Sequence, residues 1–301
     1  MKTNKFLVSA FALSIAFAAF TSCSDDEDNS LPPIGGYNSA DEVAASSLKA
    51  YWPLNGDGIE SKSNTSPSST VATTYVAGIK GQAANFNSGY MAYPSITALN
   101  TTSGSATITC WAKISNTKLV AGGPSNISPI FSLTRTGEPF GNLNLIGETH
   151  GLTSSDSIQV KGIFRIKKPD GTDFGGDAVN MLKQESWMDA THTWNANKIG
   201  GQWAHIVYWY DGPTATNRIY VNGVKISNSA WEVRNNGDAF LLNHFTPTRP
   251  VIGALETVVT GANTDAWNAA LKGQVDEVRV YDKALTPAEI GALYELEKAG
   301  R

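Results

Sequence analysis

The sequence predicts an all-β fold, a two-sheet antiparallel sandwich closed by a short C-terminal helix. Three observations predict it. The 301 residues include 28 Gly and 8 Trp, are 41% hydrophobic and only 17% charged, and break into short alternating runs between glycine turns. Asn222-Gly223 sits between two apolar runs, a strong hairpin indication. Finally, Leu271–Tyr294 joins a long alternating strand to a well-marked helix start. In that stretch Val278 and Val280 point one way and Glu277, Arg279 and Tyr281 the other, the period of two expected when one face is buried. Thr286 can cap the helix, Pro287 fits its first position, Glu289 can reach back to the cap amide, and Leu285 can pack on Ile290.

The chain begins with a secretory pattern. Lys2 and Lys5 precede an apolar run, Phe6 to Phe20, that is short for the ~20 residues of a membrane span. It ends in Phe20-Thr21-Ser22-Cys23, which resembles a bacterial lipobox, with Phe20 where Leu is usual. On that reading residues 1–22 are a lipoprotein signal peptide and Cys23 carries the lipid. The acidic run Ser24 to Asp28 resembles the surface-export signal of Bacteroidetes lipoproteins. Residues 23–47, with Pro32-Pro33 and Gly35-Gly36, read as an acidic flexible tether, and 48–301 as the folded domain. This places the protein at the outer membrane, exposed at the cell surface.

Formal charge is −4. Taking Lys2 and Lys5 from the 23 basic residues leaves 21 against 27 acidic ones, a balance of −6. Such a chain does not suit a nucleic-acid backbone, nor a heparin-like polyanion unless there is a local basic patch. The one short basic run, Arg165 to Lys168, reads as a solvated strand end.

Along the domain, a short strand that starts at Leu48 ends at Pro53, before the turn Asn55-Gly56-Asp57-Gly58. Glu60 to Thr74 is rich in Ser, Thr and Asn and reads as a surface loop, and Gly78 to Tyr93 as two short strands about a turn. Ala106 to Ile114 alternates, with Ile108, Cys110, Ala112 and Ile114 on one face, so Cys110 is a buried apolar residue. Pro129–Thr134, Asn142–Gly147 and Ser157–Lys167 are further strands, while Lys168 to Gly201 has a weak pattern and reads as a loop-rich insertion. Gln202–Asp211, Asn217–Lys225 and Arg249–Leu255 restore the strand pattern.

Seven pieces in this order, AYWPLNGDG, GIKGQAANF, SATITCWAKI, GGQWAHIVYWYD, NRIYVNGV, PVIGA and LKGQVDEVRVYDKALTPAEI, resemble the laminin-G-like, or concanavalin A-like, lectin/glucanase family. The resemblance implies a jelly roll of two antiparallel sheets. It also implies a possible structural calcium ion at Asp276, with Asn55 and Asp57 of the N-terminal turn completing an oxygen set. The alternative is that Asp276 hydrogen-bonds a backbone loop without metal. Related glucanases carry a Glu-x-Asp-x-x-Glu strand, which is absent here. Asp276-Glu277 and Glu256 do not reproduce it, and alternation sets Asp276 and Glu277 on opposite faces. There is no Gly-x-Ser-x-Gly, no His-Glu-x-x-His, and no metal spacing among His150, His192, His205 and His244. His205 reads as a hydrogen-bonded structural residue.

These readings point to a non-catalytic, surface-anchored carbohydrate-binding lipoprotein that captures polysaccharide or host glycan for neighbouring glycan-uptake proteins. Sugars offer apolar ring faces and many hydroxyls, which aromatic rings with polar neighbours complement. Trp187, Trp194, Trp231 and Trp267 lie outside the clearest core strands; of these Trp187, Trp194 and Trp231, with Arg234, Asn235 and Asp238, form the expected platform, while Trp52, Trp111, Trp203 and Trp209 belong to packing. A protein-binding adhesion module and a glycoside hydrolase or lyase are the alternatives.

Overall fold

The computed structural model describes residues 31–100, 104–115, 126–148, 156–246 and 249–301. In it the strands are β1 (Leu48–Trp52), β2 (Ser69–Ala77), β3 (Gln82–Ala92), β4 (Ala106–Ile114), β5 (Ile127–Arg135), β6 (Glu138–Glu148), β7 (Gln159–Lys167), β8 (Asp173–Val179), β9 (Ala204–Asp211), β10 (Thr216–Val221), β11 (Val224–Lys225), β12 (Pro250–Ile252) and β13 (Leu271–Tyr281). A single turn of helix, α1 (Glu256–Val259), and a longer helix, α2 (Pro287–Lys298), complete the described regular structure apart from short 3-10 turns. Cys23 and the residues expected to form the signal peptide and the start of the tether lie outside the described residues.

The named strands pair antiparallel, in the order β11-β10-β9-β4-β13-β3-β12-β5-β6-β7-β8, with β1 also on β13 and β2 also on β3. The sheet curls until its two halves face each other across one core, the jelly-roll arrangement. Phe164 of β7 meets Tyr210 of β9 at 4.6 Å between ring centroids, and Trp52 of β1 meets Phe131 of β5 at 5.7 Å. Gly162 lies so close under the Tyr208 ring that an added Cβ would collide with it. Burial of each large side chain of this core contributes ~1.5–3 kcal/mol. The Asn222-Gly223 turn closes β10 on β11 with both residues at positive φ, 50° and 78°, as a two-residue hairpin of this type requires.

Several elements differ from expectation. Residues 69–74, expected to be loop, belong to β2, which pairs along β3. β3 is one continuous strand of 11 residues, not two short ones. The preceding loop is built around Glu60, a fully buried carboxylate that accepts from the backbone N–H groups of Tyr51, Lys62 and Ser63 at 2.7–3.0 Å. The segment 33–47, expected to be tether, belongs to the folded unit. Ala40 and Val43 are buried beside α2, and the Ala40 N–H donates to the Arg301 carbonyl. The insertion contains β8, which pairs along the length of β7.

β13 departs most from simple alternation. Its inner face, Val275, Val278 and Val280, enters the core as expected. Its outer face is also buried, because α2 and residues 34–47 cover it. Against β4, Asp276 pairs with Trp111 and Arg279 with Thr109, so β13 carries one extra residue there. Glu277, at φ 50°, is the bulged residue. Two inward valines three positions apart show that parity is lost between them. The expectation that Asp276 and Glu277 occupy opposite faces by alternation therefore fails at this bulge.

The covered outer face holds charges. The Arg279 guanidinium donates to Glu277 at 2.9 Å and to Glu297 of α2 at 2.8 Å, and all three side chains are fully buried. Tyr51 donates to Glu277 at 2.8 Å and lies 3.8 Å under the guanidinium, while Trp111 donates to Glu297 at 2.9 Å. α2 begins as expected: the Thr286 hydroxyl accepts from the Glu289 N–H, and Glu289 accepts from the Thr286 N–H.

Candidate functional site

A polar zipper orders the stretch that follows β8. Asn180 is fully buried; its Oδ1 accepts from the Val160 N–H at 2.8 Å and its Nδ2 donates to the Asn195 carbonyl at 3.1 Å. Asn197 donates to the Ile158 carbonyl at 2.8 Å. Buried amides with both ends satisfied fix a loop that has few apolar residues to pack.

The same stretch is tied to residues 227–231. Thr193 donates to the Ser227 carbonyl at 3.1 Å and accepts from the Ser229 N–H at 3.0 Å, while its own N–H donates to Asn228 at 3.1 Å. Asn228 also caps the 3-10 turn Ser229–Trp231 through the Ala230 N–H. Just beyond, the buried Glu232 accepts from Ser227, Lys225 and Arg218 at 2.6–3.2 Å and holds the turn on β10.

These ties bring Trp187 and Trp231 together. Their rings are stacked, with centroids 6.2 Å apart and planes 16° apart. His192 stands edge-on to both, at 5.2 and 6.1 Å, and its Nδ1 lies 2.9 Å from Asp189. Hydrogen bonds from Thr191 and His192 hold the Asp189 carboxyl at about 2, below its ordinary range, so it stays charged beside the imidazole. Trp187 remains 56% exposed, a large apolar surface left to solvent.

The tryptophans form one wall of a cleft of about 510 Å³ whose other lining residues are Gln159, Lys161, Asp177, Val179, Met181 and Arg234. Arg234 donates to both the carbonyl and the carboxylate of Asp177, and Lys161 lies 3.2 Å from Glu148 and 3.8 Å from Asp177. The cleft thus presents ring faces on one side and a fixed cation–carboxylate cluster on the other.

Of the residues named from the sequence, Trp187, Trp231 and Arg234 meet here. Trp194 is exposed on the same loop, with its backbone bridged to Met181, but does not line the cleft. Asn235 and Asp238 close an exposed turn on themselves and also lie outside it. Gln159, Lys161, Asp177 and His192 were not singled out; alternate positions on β7 and β8 were the available indication. His205 is buried between Trp111 and Tyr294, and its ring nitrogens make no hydrogen bond, contrary to expectation. Burial, then the Arg279 charge, pushes its pKa down to about 3. Cys110 is buried as expected, and burial raises its thiol pKa.

The calcium donors are otherwise engaged. Asp276 is fully buried and its Oδ2 accepts from the Ile79 and Lys80 N–H groups at 2.7 and 3.2 Å, its Oδ1 from the Glu277 N–H at 2.9 Å. Asn55 Oδ1 accepts from the Gln82 N–H at 2.6 Å, and Asp57 Oδ1 from the Ile59 N–H at 3.0 Å. Amide hydrogens face these oxygens, the polarity of an anion site, and no group of three His, Cys, Asp or Glu gathers among the described residues. This donor set does not fit calcium. Asp276 and Asn55 instead hold the β2–β3 turn from two sides, and glycines at 78 and 81 are needed because a Cβ would strike Asp276 and Asn55 respectively.

Comparison with known proteins agrees with this architecture. Solved structures to which the chain is similar include domain 4 of AbnA, a GH43 extracellular arabinanase from Geobacillus stearothermophilus, in complex with arabinotriose: 19% identity, 82% of this chain, 98% of that one, TM-score 0.48. The binding domain of Paraclostridial mosquitocidal protein 1 matches at 14% identity over 83% of this chain and 52% of that one, TM-score 0.53. Trypanosoma rangeli sialidase with the inhibitor DANA matches at 15% identity over 82% of this chain and 32% of that one, TM-score 0.47. The chain thus spans about half of the second protein and a third of the third. No curated protein matches the chain. The Laminin_G_3 family matches residues 85–291, more than half of the chain, and the protein belongs to that family, within the concanavalin A-like lectin/glucanases superfamily.

Proposed function

We propose that this protein is a non-catalytic, lipid-anchored module that captures a glycan at the outer cell surface. The observation that carries the reading is the Trp187–Trp231 pair, Trp187 exposed and Trp231 half-buried, which lines one cleft together with hydrogen-bonding groups. A pyranose or furanose ring packs its C–H face on such a wall and directs its hydroxyls toward Gln159, Lys161 and Asp177. Engagement of the Asp177 carboxylate by Arg234 and Lys161 supports binding over catalysis. Anchoring through Cys23 rests on the lipobox-like N-terminus. The ligand is a polysaccharide or host glycan, passed to neighbouring uptake proteins.

Retention of the full chain on a panel of immobilised polysaccharides tests the proposal. Trp187→Ala and Trp231→Ala each remove a central aromatic anchor and weaken binding at least 30-fold, about 2 kcal/mol, without lowering Tm. Wild-type affinity in both variants places the ligand elsewhere. Release of reducing sugar by the wild type replaces capture with hydrolysis.

A further inference from the structure

A second cleft, of about 470 Å³, shares no residue with the tryptophan site. Strand register builds its floor. Thr74 of β2 pairs with Asn85 of β3, Asn85 with Gln274 of β13, and Gln274 with Lys113 of β4. Asn87 and Lys272 pair in the next rung. Their chain neighbours Ala84, Phe86, Val275, Ala112 and Ile114 enter the core, so this polar set faces outward. With strands about 4.8 Å apart, the row of four reaches about 14 Å across the sheet, room for an extended chain rather than a single ion.

The row is partly pre-arranged. Asn85 Nδ2 donates to Thr74 Oγ1 at 3.1 Å, and Gln274 Nε2 to Asn85 Oδ1 at 3.4 Å. Each amide has two N–H groups and two acceptor positions, so capacity remains for ligand hydroxyls.

Charge sets the ligand class. Among the described residues the lining includes Lys113 and Lys272 and no carboxylate. Among the described residues neither lysine has an ion-pair partner, whereas Lys49, Lys161, Lys198, Lys225 and Lys283 each hold a carboxylate. In a chain of net charge −4, two uncompensated cations in one groove, with Lys113 half-buried, mark a surface built for a negative ligand. Among the described residues no aromatic ring faces outward along the row to stack a nucleobase, so hydroxyl-rich chains fit better than single-stranded nucleic acid.

We infer that this groove is a second binding site, for an anionic glycan segment whose carboxylate or sulfate groups pair with Lys113 and Lys272 while its hydroxyls bond Asn85, Asn87 and Gln274. The site is independent of the tryptophan cleft. Its salt dependence is steep, since the attraction involves exposed charges.

Titration of the full chain with polygalacturonate, dextran sulfate, uncharged dextran and oligo(dT) tests this. Expected is binding of at least one of the two polyanionic glycans, weakened tenfold or more in Lys113→Met/Lys272→Met and unchanged in the charge-matched control Lys62→Met/Lys167→Met. Polygalacturonate against dextran sulfate tells a carboxylate ligand from a sulfate ligand. Trp187→Ala leaves this binding intact, so loss of one site is distinguishable from loss of the other. The inference is overturned by any one of four outcomes: no polyanion binding, equal binding of dextran, equal binding of oligo(dT), or equal losses in the two double variants. A matching Tm for both double variants shows that folding is not the cause.

Discussion

Two arginines define opposite regions of this molecule. Arg279 is sealed under α2, with Glu277, Glu297 and the Tyr51 ring around it. Arg234 sits half-buried at the open cleft, held on one side by Asp177 and bordering the tryptophans on the other. Both combine a guanidinium, a carboxylate and aromatic rings. What differs is the cover. Where a helix closes over the cluster, its charges become structural, because removing any one leaves the others desolvated. Where loops leave it open, the same chemistry is free to meet a ligand.

The largest expected effect follows from that difference. Arg279→Met leaves two buried carboxylates without their cation and lowers stability by ~3–5 kcal/mol in chemical denaturation. Arg234→Met, by contrast, lowers it by about 1 kcal/mol or less, the range of partly exposed pairs, while weakening ligand retention. Equal losses in the two variants erase the contrast between closed and open clusters.

A pH experiment sharpens it further. His205 lies 3.7 Å from Glu297 in the closed cluster, and burial lowers its pKa from 6.5 to about 3. The unfolded chain therefore takes up a proton that the folded chain refuses between these values. Its contribution is present above pH 6.5 and is lost as pH falls toward 3. His244, lowered by burial to about 4, acts in the same direction. Asp276, raised by burial to about 7, acts oppositely between pH 4 and 7. Subtracting a His205→Phe variant isolates the first contribution: wild-type stability falls relative to the variant by up to about 1.4 kcal/mol per pH unit below pH 6.5. A parallel pair of stability curves shows that the imidazole is not held neutral.

Much of the closed region was legible in the sequence. Thr286-Pro287 with Glu289 marks the helix start through local hydrogen-bond chemistry, and Val278 and Val280 mark the inner face through alternation. The bulge at Glu277 was not legible, since one inserted residue leaves no local mark but reverses parity. Nor was the burial of Arg279: polar residues at alternate positions look the same whether water or a helix covers them. The open cleft was half legible. Trp187 and Trp231 stand out as aromatic residues in polar surroundings, but their stacking depends on Thr193 and Asn228 joining segments distant in sequence. Their partners Lys161 and Asp177 lie on strands whose outward positions read as ordinary surface.

The helix cap carries a smaller effect. Thr286→Ala removes the acceptor for the Glu289 N–H and costs about 1 kcal/mol. The loss falls on the closed region alone, because α2 covers Arg279 and not the cleft. Ligand retention by Thr286→Ala therefore stays at the wild-type level at temperatures where the variant is folded. A drop in retention parallel to the drop in stability would couple the two regions.

The smallest expected effect is the response to a chelator at Asp276, which lies beside the closed cluster and was a candidate cation ligand. A carboxylate that binds calcium turns its lone pairs to the ion, and the remaining ligands are oxygens. Here three backbone N–H groups point at the Asp276 carboxylate, and N–H groups also occupy Asn55 Oδ1 and Asp57 Oδ1. A cation entering there would face amide hydrogens and would have to displace each of these bonds. The chelator experiment is accordingly expected to leave Tm unchanged, and added calcium to leave it unchanged as well. Asp276→Asn separates the alternatives, since an amide retains one acceptor oxygen but sets its own N–H groups against those of Ile79 and Lys80. The substitution lowers stability by ~1–3 kcal/mol with or without chelator. A Tm that falls with chelator in the wild type, and no longer responds in Asp276→Asn, would restore the metal and require the 78–82 turn to rearrange around it.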